Sequence, residues 1–266
     1  MATKRVIGRC CLCGQTARLS KEHVPPQKAF NDCDVLMKRI DQAAGPEVKF
    51  VPSGQIEQGG HRGYTLCGRC NNDTGGWYAR EYVRLVKACA PHAKLANANR
   101  IIEMHLDVFP LRAMKEALAI MCSCCGPGFT DKHSGLRRLL LDKANSGIPF
   151  PLRLYTYIMC NSAGRSTGVA GIAQVSNIDF STRSARVVAE FAWWPLGLLL
   201  AFDQVPISHA TDVSHWLDYS HDDRVTIPIS IPCRWVVTPY PLDCRSPDEV
   251  EKQAAENDQM AREFRR

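Results

Sequence analysis

Leu66-Cys67-Gly68-Arg69-Cys70-Asn71-Asn72-Asp73 is the stretch on which the reading of this chain turns. Its two cysteines stand at the spacing of a metal knuckle. A matching pair, Cys10 and Cys13, lies in Cys10-Cys11-Leu12-Cys13-Gly14. Each Cys-x-x-Cys turn presents two thiolates to one ion, and two such turns complete a closed tetrahedral zinc site with Zn–S distances of about 2.3 Å. Cys11 competes with Cys10, but the Cys11-x-Cys13 spacing is poorer. Fifty-three residues separate Cys13 from Cys67, long for a compact ribbon, so a folded segment is expected between the knuckles. A structural Zn²⁺ on Cys10, Cys13, Cys67 and Cys70 is the resulting expectation.

The chain has 266 residues and is 45% hydrophobic, enough to bury a core as one large domain or two small ones. It holds 13 cysteines, an odd number that argues for metal binding and buried thiols rather than a disulfide framework. No apolar run follows the basic residues near Met1, so no signal peptide and a cytoplasmic location are expected. The most apolar stretch, Phe191 to Phe202, is too short to span a membrane and contains Pro195 and Gly197. Net charge is +6, unevenly spread: residues 1–100 hold 16 Lys/Arg against 8 Asp/Glu, and the remainder 17 against 19. The basic excess belongs to the part with the cysteine pairs. That suits either a phosphate-rich partner or a solvated basic surface.

Between the knuckles runs Lys21-Glu22-His23-Val24-Pro25-Pro26. A zinc clamp explains the cysteines but not Glu22, His23 or Asn71. Glu22-His23 before Pro-Pro, with Cys67-Gly-Arg-Cys70-Asn71 later, resembles the HNH, or ββα-metal, nuclease superfamily over about residues 8–90. In that family an acid–His step lies on the first β element, and a His or Asn opens the helix after a knuckle. The resemblance implies hydrolysis of DNA phosphodiester bonds. His23 would be the general base, since neutral imidazole titrates near working pH. Glu22 and Asn71 would hold a catalytic Mg²⁺ or Mn²⁺, because hard cations prefer oxygen donors. Adjacent residues on a strand point to opposite faces, so Glu22 and His23 share one site only if the backbone bends there.

Two positions depart from the family pattern. Asn71 stands where many members carry His. Arg62 stands where the family's central Asn supports the base, and guanidinium offers no acceptor for an imidazole N–H. A backbone carbonyl or Asn72 would have to serve instead. Arg62, Arg69, Arg80 and His61 are candidate contacts to nucleic acid; the plain alternative is that they are exposed side chains. Trp77, Tyr78 and Tyr82 recur at helical spacing, which favours core over base stacking.

The expected fold class is α+β: a ββα-metal zinc-knuckle domain at 1–95, then a mixed, β-rich α+β domain at 96–266. Expected elements are a hairpin over 5–20, a short helix over 28–41, strand segments over 46–66 including Val48–Val51, and a helix from Asp73 to Pro91 or Leu95. Beyond these come a strand at 101–109, helices at 110–121 and 136–144, strands at 152–159, 168–175, 186–191, 197–202 and 225–231, and a helix from Ser246. Cys122, Cys124 and Cys125, with Cys89 and His92, are read as buried thiols rather than a second zinc site. Cys33, Cys160, Cys233 and Cys244 are read as structural, and His209, His215 and His221 as surface residues.

Three functions compete at this point. One is a Mg²⁺-dependent endonuclease acting on DNA. The second is a non-catalytic zinc-ribbon module that binds nucleic acid or protein. The third is a different metal hydrolase. Residues 96–266 would supply target recognition, a protein partner surface or a homodimer interface, with no membrane contact.

Overall fold

The structure is a computed structural model that describes residues 5–37, 55–96, 100–160, 175–179, 184–236 and 245–263. The first knuckle is the turn of an antiparallel hairpin between β1 (Ile7–Arg9) and β2 (Thr16–Arg18). Gly14 closes that turn at φ 75°, the left-handed region where glycine carries no steric cost. Strand β3 (Glu22–His23) is followed by β4 (Val35–Met37) and β5 (Gln55–Glu57), which pair with each other. Strand β6 (Arg62–Gly63) returns to pair antiparallel with β3, setting Glu22 opposite Gly63 and His23 opposite Arg62.

The helix expected over 28–41 does not form. Residues 27–30 are a turn and β4 follows. Phe30 adopts φ 63°, which no right-handed helix allows. Asn31, fully buried, ties this turn down: its amide nitrogen donates to Pro25 O at 2.7 Å and His61 O at 3.0 Å, and its oxygen accepts the His61 N–H at 2.7 Å. Residues 38–41 and the strand expected at Val48–Val51 lie outside the described residues.

The chain becomes helical earlier than expected, inside the second knuckle. Helix α1 (Gly68–Thr74) passes through a π-turn (Gly75–Ala79) into α2 (Arg80–Leu95), and Pro91 does not end it. The start is set by Cys67, whose extended backbone (φ −69°, ψ 158°) makes it the N-cap. Tyr78 and Tyr82 are buried, in keeping with their helical spacing.

The rest is strand β7 (Ile101–Val108), helices α3 (Pro110–Cys125), α4 (Phe129–Lys132) and α5 (Ser134–Leu141), and strands β8 (Arg153–Met159), β9 (Val175–Asp179), β10 (Ser184–Trp193) and β11 (Leu196–Ala201). Strand β12 (Thr211–Asp212), a 3₁₀ turn (Ser214–Asp218), strand β13 (Val225–Arg234) and helix α6 (Pro247–Glu263) complete it. Apart from β9, the expected strands and helices of this half recur within a few residues; residues 168–174 and Cys244 lie outside the described residues.

The sheet order is β7-β13-β8-β11-β10-β9, with β12 also on β8. All pairs are antiparallel except β13 with β8. Pro228 and Pro232 fit in β13 because only Cys233 and Arg234 pair with β8; the missing N–H groups fall where that edge makes no ladder to β8. The architecture is α+β, as expected from the sequence.

Helix α3 is apolar nearly all round and buried on most of its surface. It packs against α2 and the π-turn on one side, and against β10, α5 and the 3₁₀ turn on others. One buried cluster runs from Cys10 and Leu12 through α2 and α3 to the sheet. The later segments also grip the first knuckle. Thr130 Oγ1 donates to Cys11 O at 2.7 Å, and Arg137 Nε to Leu12 O at 3.0 Å. Trp193 Nε1 donates to Phe30 O at 3.1 Å, while Trp194 meets the Phe30 ring edge-on at 4.7 Å. No described helix is long and apolar enough to cross a membrane.

Candidate functional site

The hairpin turn and the start of α1 bring Cys10, Cys13, Cys67 and Cys70 together, with their Sγ atoms all within 4.8 Å of one another. A tetrahedral zinc site needs S···S edges of about 3.8 Å, given Zn–S bonds of ~2.3 Å. Cys13 Sγ and Cys67 Sγ stand 4.0 Å apart, so the thiols fit that ion with small adjustments. The Cys67 N–H also points at Cys10 Sγ at 3.4 Å, as the backbone of a knuckle does towards a thiolate. The Cys10 thiol is pushed down to about 4, chiefly because it accepts a hydrogen bond from Cys70; Cys70 is pushed up by the same bond. These four cysteines could hold a structural metal such as zinc. Cys11 is excluded from the group. It lies buried, with burial pushing its thiol up to about 12.

Among the described residues no other set of three or more His, Cys, Asp or Glu side chains gathers this tightly. Cys89 and Cys122 are buried thiols raised by desolvation, in line with the reading of that cluster as packing. Cys33, by contrast, is exposed. His209 and His215 are on the surface, but His221 is not: its side chain is 14% exposed and packs beside Tyr78.

Beside the cysteine cluster is a cavity of about 320 Å³ lined by Glu22, His23 and Asn71, together with Lys21, Thr74 and Gly75. Both residues of the short strand β3 line this space. Glu22 accepts a short hydrogen bond from the Thr65 hydroxyl. Burial nevertheless pushes its carboxyl up to about 7, against the bonds from Thr65 and the Leu66 N–H, and the nearby Cys10 thiolate adds to the rise. The His23 imidazole is pushed below its ordinary value, first by burial, then by the charges of Arg62 and Lys21; the Gly59 carbonyl opposes them.

Two groups compete for His23 Nε2. Gly59 O is 3.2 Å away, and Arg62 Nε is 2.9 Å away. Guanidinium can only donate, so in this arrangement Nε2 accepts and the ring proton sits on Nδ1. Gly59 O is then satisfied by Arg62 Nη2 at 3.2 Å. Asn72 is exposed and does not line the cavity.

The remaining expected site residues are dispersed. His61 Nδ1 is 2.9 Å from Glu57 Oε2, and that carboxylate also takes the Arg62 N–H at 3.1 Å. Neither His61 nor Arg62 lines the cavity. Arg69 is exposed and 3.6 Å from Asp73, and Arg80 is exposed on the same helical rod.

Helix α3 closes the cavity from the other side with Glu116, Ala119, Ile120 and Ser123. These positions recur every three or four residues, so they form one face of the helix. The sequence reading missed Glu116. Burial pushes its carboxyl up to about 8, and the charge of Glu22 adds to it. The signal was present: Lys115-Glu116 is a charged pair in the middle of a largely apolar helix. A larger cavity of about 480 Å³ near Phe150 and His215 contains none of the expected residues, and its Arg153 is already paired with Asp212 and Gln204.

No family model, curated protein or solved structure matches this chain.

Proposed function

We propose that this chain is a metal-dependent endonuclease of the HNH kind that hydrolyses phosphodiester bonds in DNA. One observation carries the reading. Glu22 and His23 from a strand, and Asn71 from the helix after the second knuckle, line one cavity beside a four-cysteine cluster. The cluster would be the frame, holding β3 against α1. Hydrolysis needs a base that orients water and takes its proton, and among the described residues His23 is the only imidazole lining the cavity. Its depressed pKa keeps it neutral, and so able to accept a proton, at neutral pH. The Gly59 carbonyl, 3.2 Å from His23 Nε2, would fill the role of the family's central Asn if Arg62 released that nitrogen. Glu22 and Asn71 would hold Mg²⁺ or Mn²⁺, which when bound neutralises charge building on the phosphate and its leaving oxygen. Arg62, Arg69 and Arg80 would clamp flanking phosphates, consistent with the basic excess of residues 1–100. A cytoplasmic protein acting on DNA, with residues beyond 96 serving recognition or pairing with a protein partner or a second copy, completes the reading.

The test is nicking of supercoiled plasmid in Mg²⁺ or Mn²⁺ by wild type and by His23→Ala. Wild type should convert the plasmid and the variant should not. Equal loss of supercoil by both would remove His23 from the chemistry.

A second reading, a zinc module that binds nucleic acid without cutting it, draws on the Arg62 contact to His23, which occupies the imidazole lone pair. DNA retention by wild type and variant alike, with no cleavage under either metal, would favour it.

A further inference from the structure

Glu116 is 7% exposed, and its Oε2 is buried with no hydrogen-bond partner among the described residues. A buried carboxylate without a partner is strongly destabilising unless a proton or a cation neutralises it. Its neighbour Lys115 does not do so. Lys115 Nζ donates to Asp142 O at 2.8 Å and Lys143 O at 3.2 Å, and lies over the Tyr78 ring. Of the side chains lining the cavity, only His23 and the exposed Lys21 can carry positive charge, and neither is hydrogen-bonded to Glu116. Glu116 and Glu22 both line one small cavity, from α3 and β3, with Asn71 on its wall.

We propose that Glu116 is a ligand of a hard divalent cation, which it shares with Glu22 and Asn71 across the cavity. This rests on the reading above of Glu22 and Asn71 as oxygen donors. It goes beyond it by making α3, far outside the ββα stretch, part of the metal site. Two carboxylates and an amide oxygen make a donor set for Mg²⁺ or Mn²⁺ with coordination positions left for water or phosphate. Such a site would bind its cation before any DNA arrives, because all three oxygen donors come from the protein. The proposal also explains why a helix otherwise built for the core keeps a carboxylate at this position.

The test is Mn²⁺ binding to the zinc-loaded full chain without DNA, by calorimetry or by loss of the free Mn²⁺ electron-paramagnetic signal. Wild type should bind one Mn²⁺. Glu116→Gln keeps shape and hydrogen-bonding capacity but removes the charge. It should weaken binding by about ten-fold or more, since even outer partners of a metal site are worth 10- to 100-fold. Glu22→Gln should do the same, and Glu103→Gln, on the exposed face of β7, should change nothing. Wild-type affinity in Glu116→Gln, or no Mn²⁺ binding by wild type, overturns the proposal. If Glu116→Gln loses its zinc, Glu116→Asp decides instead: weaker Mn²⁺ binding supports the ligand role and unchanged binding overturns it. The plasmid assay separates the two readings. Glu116-dependent Mn²⁺ binding in a protein that cleaves nothing keeps this site and removes the nuclease. Cleavage with Mn²⁺ affinity indifferent to Glu116 does the reverse.

Discussion

Arg62 Nε donates to His23 Nε2 at 2.9 Å, across the antiparallel pair that sets the two residues opposite each other. The contact fixes the imidazole tautomer and adds to the burial that lowers its pKa. Arg62→Ala should therefore raise the His23 pKa and move the ring proton to Nε2, where Gly59 O can accept it. Nitrogen-detected NMR of the histidine rings reads both effects. An unchanged tautomer in the variant would mean that the arginine contact does not govern His23.

Metal removal should separate the two kinds of site. Cys67→Ser should lose the single zinc and much of the structure around both knuckles, since structural zinc contributes on the order of 10 kcal/mol to such folds. Cys122→Ser should keep one zinc per chain, because Cys122 is a buried thiol outside the four-cysteine group. Elemental analysis after gel filtration checks both; two tightly held zinc ions in wild type would contradict the assignment.

The pH dependence of stability follows from the cavity carboxyls. Burial raises Glu22 to about 7 and Glu116 to about 8, both above the ordinary 4.5. A raised acid favours folding in its protonated form. The stability it contributes is complete below about 4.5 and is lost as pH rises through about 7 to 8. Without a hard divalent cation the zinc-loaded protein should lose stability between about pH 5 and 8, by roughly 1.4 kcal/mol per pH unit for one such group. Mn²⁺ should flatten or reverse the slope, and Glu116→Gln should reduce it. Urea unfolding at a series of pH values is the measurement.

Two glycines should respond in opposite senses to alanine. At Gly60, φ is 100° and a Cβ would stand 2.0 Å from Asn31 O, so Gly60→Ala should cost at least ~2 kcal/mol. Gly76 lies in the π-turn, and no atom stands within 4 Å of the place an alanine methyl would take, so Gly76→Ala should stabilise by roughly 0.5–1 kcal/mol. Gly75 has the same open space but lines the cavity. Gly75→Ala should stabilise equally while slowing plasmid cleavage, if substrate approaches the helix there. Thermal unfolding of the three variants, with the plasmid assay for the third, checks these outcomes.

Much of this was legible residue by residue. Cys-x-x-Cys spacing forces two thiols into one turn, and the pairing of two such turns needs only that the chain return. The alternation of residues 101–108 and the helical steps of Tyr78, Tyr82 and Leu85 are local patterns, and they appear where expected. The turn at Phe30 was not legible, because three hydrogen bonds of Asn31 to Pro25 and His61 outweigh a modest helix propensity over 28–41.

Local sequence patterns set the two knuckles, the acid–His step, a helix near the second knuckle and the α+β class. All of these depend on neighbours a few residues apart. Tertiary structure alone decided that Arg62 occupies His23, that Trp193 and Trp194 brace the Phe30 turn, and that Glu116 lies in the same cavity as Glu22. These contacts join segments far apart in sequence, and burial is what gives them their character. A carboxylate on an apolar helix breaks the pattern until the fold shows which cavity it faces, and only then does its missing partner become a chemical statement.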